Sequence, residues 1–237
     1  MEQATAGTTL RNAILNSLDR DEAARIAPHL KRVSGELGDP ILQPGDPIDA
    51  LGFPESAMAS AMGITAEGAT AEVGLIGWEG VVGLPRLFGS RSQPNVINFQ
   101  MPGNLWLLPA KVAEEEFARG GNFQRAVLRF ANAFMVQIGR TAVCNAVHGV
   151  DKRLAKWLLM CHDRSTDNGL RLTQEFLAMM VSVSRQSISG GAQVLQERGL
   201  IKYSRGLIEV TYREGLEKAA CDCYQIISLR GMNKDLL

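Results

Sequence analysis

From Ala110 to Asp163 the sequence holds no proline and few glycines, whereas residues 38–110 are interrupted by one or the other every few positions. The interruptions include Gly38, Pro40, Pro44, Gly45, Gly52, Gly63, Gly68, Gly74, Gly77, Gly80, Gly83, Gly89, Pro102 and Gly103. Between them lie short apolar runs at 41–42, 58–62, 73–76, 95–99 and 105–108. No long helix survives such punctuation. Short strands separated by turns do, and they predict a closed all-β unit, a β-roll or jelly roll. Ahead of it, Leu10, Ile14, Leu18, Ile26 and Leu30 give a helical reading for 10–32, with Asp19 opening a fresh turn.

Beyond the punctuated region the period changes. Phe123, Val127, Phe130, Phe134, Ile138, Thr141 and Asn145 recur at a spacing of three to four. A helix of that length carries an apolar stripe that a compact barrel need not cover, and a second copy of the helix is its natural cover. Packing on the chain's own barrel is the other use for it. His148-Gly149 breaks the pattern and reads as a hinge, because glycine costs ~1 kcal/mol within a helix. A further helix follows from Val150 to about Asp163, then a polar loop from Ser165 to Gly169. The 237 residues, 46% of them apolar, divide into a β-roll domain over 1–120, a dimerisation helix over 121–148 and a third region over 149–237.

The third region opens with two helix starts. Thr173 is an N-cap with Glu175 in its first turn, and Leu177, Met180 and Val181 mark the inner face of a helix over 174–180. Ser184 is a second N-cap. The helix from Arg185 to Arg198 places Ile188, Ala192 and Leu195 on one side, and Gly199 stops it. Two short helices joined by three or four residues make a helix-turn-helix. Residues 200–203 and 207–210, joined at Ser204-Arg205-Gly206, add a hairpin wing. In such a motif the second helix enters the major groove N-terminus first. That end carries Arg185, Gln186 and Ser189 as base contacts, since Arg bonds guanine and Gln bonds adenine. Thr173, Ser184, Ser187, Lys202 and Arg205 suit phosphates. Charge agrees with this division. Residues 1–110 carry 7 Lys/Arg against 12 Asp/Glu, while 111–169 carry 9 against 6 and 170–237 carry 9 against 7. The zero net charge conceals an acidic front and a basic back.

These residues resemble a known family. Thr173 to Met180, Val183 to Ser189 and Gly199 to Ile208 look like the winged helix-turn-helix of the Crp/Fnr transcription regulators. Pro44-Gly45-Asp46 and the Gly74–Gly83 segment look like the family's cyclic-nucleotide-binding-type β-roll. The 121–147 helix is similar to its dimer helix, Asp151 to Leu159 to the helix opening its DNA domain, and the tail from Gly215 to Tyr224 to a bacterial subgroup. The resemblance implies an α+β chain: a β-roll sensor, a long dimerisation helix and a winged helix-turn-helix. It implies a homodimer on double-stranded palindromic DNA, with RNA polymerase as a further partner. Family members often open the recognition helix with Ser-Arg-Glu-Thr and add a second Arg four residues after the Glu. Gln186 and Gly190 stand in those places, so the expected half-site differs from the familiar one.

Members that bind cyclic nucleotides hold the phosphate with a Gly-Glu pair and an Arg-Ser/Thr pair. Gly80 and Gly83 lie in the matching loop, and Arg86, Arg91 and Ser92 are candidates for the cationic part, but the Glu position falls on Val81 or Gly83. A cyclic nucleotide is therefore not expected, and the effector pocket is left to another ligand or to none. The family's iron–sulfur sensor needs cysteines near the N-terminus, and the first cysteine here is Cys144, so that cluster is excluded. His29, His148 and His162 read as surface or structural residues. Cys144, Cys161, Cys221 and Cys223 read as free thiols, with no metal site expected. The segment 38–110 contains no histidine, which argues against a cupin-type metal enzyme, and no hydrolase or P-loop motif is present. No enzyme activity is expected. No secretory pattern opens the chain and no apolar run reaches ~18 residues, so a cytoplasmic protein without a membrane partner is expected. One alternative stays open: a small-molecule-binding regulatory module whose winged helix serves protein contacts.

Overall fold

A computed structural model describes residues 10–165 and 169–229. The outer limits of the first and last regions drawn from the sequence, and most of the 165–169 loop, lie outside the described residues. Two compact units emerge. One comprises residues 10–64 and 75–134, the other 65–74 and 135–229.

The first unit begins with two short helices, α1 (Ala13–Asn16) and α2 (Arg20–Ile26). Buried Asn12 caps α1, its Oδ1 accepting from the backbone of Ile14 and Leu15, while its Nδ2 donates to the carbonyls of Pro54 and Gly80 at 3.0 and 2.9 Å. Asp19 and Glu22 form a capping box on α2. The helical reading of 10–32 ends too late. Pro28, in a 3-10 turn at Ala27–His29, closes the helix, and Lys31 already begins a strand.

The strands are β1 (Lys31–Gly35), β2 (Pro40–Leu42), β3 (Ala50–Pro54), β4 (Met58–Ile64), β5 (Thr70–Ile76), β6 (Val96–Met101) and β7 (Gly103–Pro109). They form two sheets, in the orders β1-β7-β3 and β2-β6-β4-β5. The five apolar runs of the sequence match β2, β4, β5, β6 and β7. The strands β1 and β3 show no such run: β1 is mostly polar, and β3 carries Gly52 and Pro54. Leu51, Phe53, Leu75, Leu105 and Leu108 fill the interior.

Two helices follow, α3 (Ala110–Arg119) and α4 (Gly121–Val147). They are separated where Gly120 and Gly121 take φ of 81° and 88°, a region costly for any residue with a Cβ. The Glu22 carboxylate reaches across to accept from the Phe123 backbone N–H at 3.1 Å. Phe123, Val127 and Phe130 are buried in this unit, with the Phe123 ring 6.3 Å from that of Phe53. Phe134, Ile138 and Thr141 are half-buried and Asn145 is exposed. The stripe read from the sequence is thus partly consumed by the β-roll. The large apolar residues that α4 leaves exposed are Leu128, Met135, Val143 and Val147.

The second unit contains α5 (Val150–Arg164), β8 (Gly169–Arg171), α6 (Gln174–Met180), α7 (Arg185–Glu197), β9 (Ile201–Ser204), β10 (Leu207–Val210), α8 (Arg213–Ala219) and α9 (Asp222–Ile227). Leu154, Leu158, Leu177, Ile188, Leu195, Ile208 and Leu216 make its core. The wing is a three-stranded sheet, β8-β10-β9, with Leu207 opposite both Arg171 and Ser204. Residues 65–74 belong here: buried Trp157 donates its indole N–H to Glu72 at 2.8 Å. The Arg213 guanidinium bonds the buried Asp163 carboxylate at 2.5 Å, the Tyr224 hydroxyl at 2.7 Å and His162 Nδ1 at 2.7 Å, locking α8 and α9 to α5. Burial and the adjacent Asp163 carboxylate push the Tyr224 hydroxyl well above its usual range, so it stays a donor and closes the triangle onto Asp163 at 3.0 Å. No helix among the described residues is long and apolar enough to cross a membrane.

Candidate nucleic-acid interface

The two N-caps read from the sequence are in place. Thr173 Oγ1 accepts from the Phe176 N–H at 3.2 Å, and Ser184 Oγ accepts from the Ser187 N–H at 3.1 Å. The connection between α6 and α7 turns at Ser182, whose φ is 54°. Arg153 on α5 fixes that turn by donating to the carbonyls of Val181 and Ser182, the latter at 3.2 Å. The crossing of α5 and α7 is close. A Cβ on Gly191 would stand 3.1 Å from a Val150 methyl, whereas a Cβ on neighbouring Gly190 meets nothing within 4 Å.

Ile188, Ala192 and Leu195 face the core, which turns Arg185, Gln186, Ser187, Gly190 and Gln193 to solvent. Among the described residues no hydrogen bond or ion pair engages the side chains of Arg185 and Gln186. Ser189 differs. Its hydroxyl lies 3.0 Å from both the Arg185 carbonyl and Gln174 Oε1, so its proton is committed internally and only its lone pairs face outward. Ser184 and Ser187 share a hydroxyl–hydroxyl bond of 2.8 Å, which leaves one O–H between them to donate. Thr173 accepts as a cap and keeps its proton for an acceptor such as a phosphate oxygen.

The wing supplies cations. Lys202 and Arg205 are exposed, and with Arg171, Ser204, Leu207 and Glu209 they line an open groove of about 340 Å³. Arg171 is the site residue that the sequence does not single out. Its strand is three residues long, too short to register as a periodic pattern, and only its pairing with β10 brings it to the wing. Gln196 Oε1 accepts from the Tyr203 N–H at 2.9 Å and the Tyr203 hydroxyl donates to the Leu172 carbonyl at 3.2 Å, so helix and wing are held together.

The effector residues read from the sequence have the following surroundings. Arg86 is bound to Glu114 at 2.6 and 3.2 Å. Gly80 is covered by the Phe130 ring, which a Cβ at that position would overlap. Gly83 is buried at the start of the 3-10 turn Leu84–Phe88, while Arg91 and Ser92 lie on the loop beyond it.

All four cysteines are free and buried. Cys144, His148, Cys221 and Cys223, from two segments far apart in sequence, converge so that their ligand atoms all lie within 4.8 Å of one another. Cys161 is buried elsewhere. The signal is present in the sequence as two short pairs, Cys-x3-His and Cys-x-Cys, neither of which is a familiar metal spacing alone.

Comparison with known proteins agrees with this geometry. Residues 152–219 match the Crp-like helix-turn-helix domain. No curated protein sequence matches the chain. Among solved structures, FixK2 from Bradyrhizobium japonicum superposes with a TM-score of 0.69 at 12% identity, covering 81% of this chain and 98% of that one. A CRP/FNR-family transcriptional regulator from Thermus thermophilus gives 0.64 at 20% identity, over 80% and 98%. The c-di-GMP-responsive global regulator CLP of Xanthomonas campestris gives 0.64 at 20% identity, over 81% and 99%. The chain has the fold of the Crp/Fnr transcriptional regulators, and its residues 152–219 belong to the Crp-like helix-turn-helix domain family.

Proposed function

We propose that the protein is a sequence-specific regulator of transcription that binds a palindromic DNA site as a homodimer. The observation that carries this reading is the disposition of α7. Its N-terminal turn presents Arg185 and Gln186 unengaged to solvent, beside a wing groove lined by Arg171, Lys202 and Arg205. Arg185 reads guanine, Gln186 reads adenine, and Ser189 accepts from a base amino group. Thr173, the Ser184–Ser187 pair and the wing cations hold phosphates and set the register. Pairing through α4 spaces two recognition helices about one helical turn of DNA apart, ~34 Å. The apolar residues available for that pairing are Leu128, Met135, Val143 and Val147, because Val127 and Phe130 are occupied within the first unit. RNA polymerase is the partner such a complex addresses, in the cytoplasm.

The first unit is the proposed seat of an effector. The Arg86–Glu114 pair and the Phe130 ring over Gly80 argue against a cyclic nucleotide at the glycine-rich loop. The test is selection of bound duplexes from a random pool by ligand-free protein, followed by affinity at two salt concentrations. A recovered palindrome with a steep salt slope supports the reading, since each neutralised phosphate releases counterion. Absence of any duplex affinity, with or without added cyclic nucleotides, overturns it in favour of a module whose winged helix contacts protein.

A further inference from the structure

The end of α4 and the C-terminal helices meet at a group of four side chains that DNA binding does not use. Cys144 lies in the last turn of α4, and His148 follows one helical turn later, so both project from one side. Cys221 is the N-cap residue of α9 and Cys223 lies in its first turn. Cys144 Sγ and Cys221 Sγ are 3.5 Å apart, and Cys223 Sγ lies 3.8 Å from His148 Nδ1. All three cysteines are buried and pack against one another.

These two separations are close to the edges of a coordination polyhedron, and all four ligand atoms lie within 4.8 Å of one another. A tetrahedral zinc with Zn–S of ~2.3 Å has S···S edges of about 3.8 Å and slightly shorter S···N edges. A disulfide needs ~2.05 Å between sulfurs, and a hydrophobic thiol cluster has no need of an imidazole nitrogen aimed into it. The surroundings fit a metal as well. The other ring nitrogen of His148 faces the Asp222 carboxylate at 3.6 Å, the place where a carboxylate orients a metal-binding imidazole. Buried Lys156 acts electrostatically on both Cys144 and Cys223.

We propose that Cys144, His148, Cys221 and Cys223 form a structural zinc site that ties the C-terminal helices to the junction between α4 and α5. Four protein ligands close the coordination shell, so the site holds the metal rather than offering it to substrate. Binding takes all three cysteines as thiolates and releases whatever thiol protons they still carry. Three thiolates and a neutral imidazole around Zn²⁺ leave a net charge of about −1, which the Lys156 ammonium offsets. The donor set, soft sulfur with one imidazole, selects zinc over calcium or magnesium. The site spans the His148-Gly149 junction, so the loaded metal holds the hinge in one geometry. The inference is independent of DNA binding.

The test uses the full-length protein purified without chelator. Elemental analysis is expected to give one zinc per chain. Replacement with Co²⁺ is expected to give a near-ultraviolet sulfur-to-cobalt charge-transfer band with the intense visible bands of a tetrahedral site. Cys223→Ser and His148→Asn are expected to lose the stoichiometric metal, and Cys161→Ser to keep it. Asp222→Asn, which leaves all four ligands, is expected to weaken zinc binding about 10- to 100-fold. Should the ligand variants not fold, the Co²⁺ spectrum of the unaltered protein decides alone. Failure to bind Zn²⁺ or Co²⁺ with the thiols reduced overturns the proposal. So does a metal content unchanged in folded Cys223→Ser, or a Cys144–Cys221 disulfide in the protein as isolated.

Discussion

Gly190 and Gly191 are adjacent on the recognition helix and have opposite reasons to be there. Gly191 allows α7 to approach α5, and Gly190 faces open space. Gly190→Ala is expected to raise stability by about 0.5–1 kcal/mol through helix propensity. Gly191→Ala is expected to lose that gain and more to the Val150 contact, and thermal melts of the two variants decide it. Arg185→Ala is expected to reduce discrimination of the selected site by about ten- to a hundredfold, the worth of ~1–3 kcal/mol for a bidentate base contact. A weak, salt-sensitive affinity for any duplex remains. Arg205→Ala is expected instead to weaken all sequences alike and to lower the salt slope by about one. Competition assays with specific and scrambled duplexes separate the two behaviours. Arg185 and Arg205 are legible in the sequence because caps, helix stop and wing turn fix their places locally. Arg171 is not, because its place depends on a strand pairing across more than thirty residues of chain.

At the scale of elements, local signals decide what can be read. The helices α5, α6 and α7 and the strands β9 and β10 carry their own starts and stops: Thr173, Ser184, Gly199 and the Ser204–Gly206 turn. Both β1 and β3 pair with β7; β1 is mostly polar, and in β3 Gly52 and Pro54 interrupt the buried Leu51 and Phe53, so neither reads as a continuous apolar run. The apolar stripe of α4 reads as one feature, yet burial divides it, because a helix face that meets the β-roll at Phe123 and Val127 cannot also meet a second copy there. The α8–α9 tail is fixed by a polar knot that no periodicity announces. Arg213→Ala leaves the Asp163 carboxylate, 1% exposed, without its cation. A loss of about 3–5 kcal/mol is expected, measured by denaturant unfolding, with faster amide exchange concentrated in α8 and α9.

For the whole molecule, the proposed dimer rests on exposed Met135 and its apolar neighbours on α4. A charge placed in an apolar helix seam opposes its own symmetry mate. Met135→Glu is expected to shift the protein from dimer to monomer in sedimentation, and to abolish affinity for the palindrome while sparing that for a single half-site at high protein concentration. A dimer undisturbed by this change would place the seam elsewhere. Residues 65–74 give the molecule another property. Residues 70–74 belong to β5, paired in the sheet to β4, yet they group with residues 135–229, where Glu72 receives the Trp157 indole. The two halves are therefore interleaved along the chain, and no single cut separates them. A polypeptide starting at residue 135 would leave a buried indole N–H without its acceptor. In practical terms, Trp157 is a built-in optical probe, its emission tied to whether its indole N–H keeps the Glu72 carboxylate.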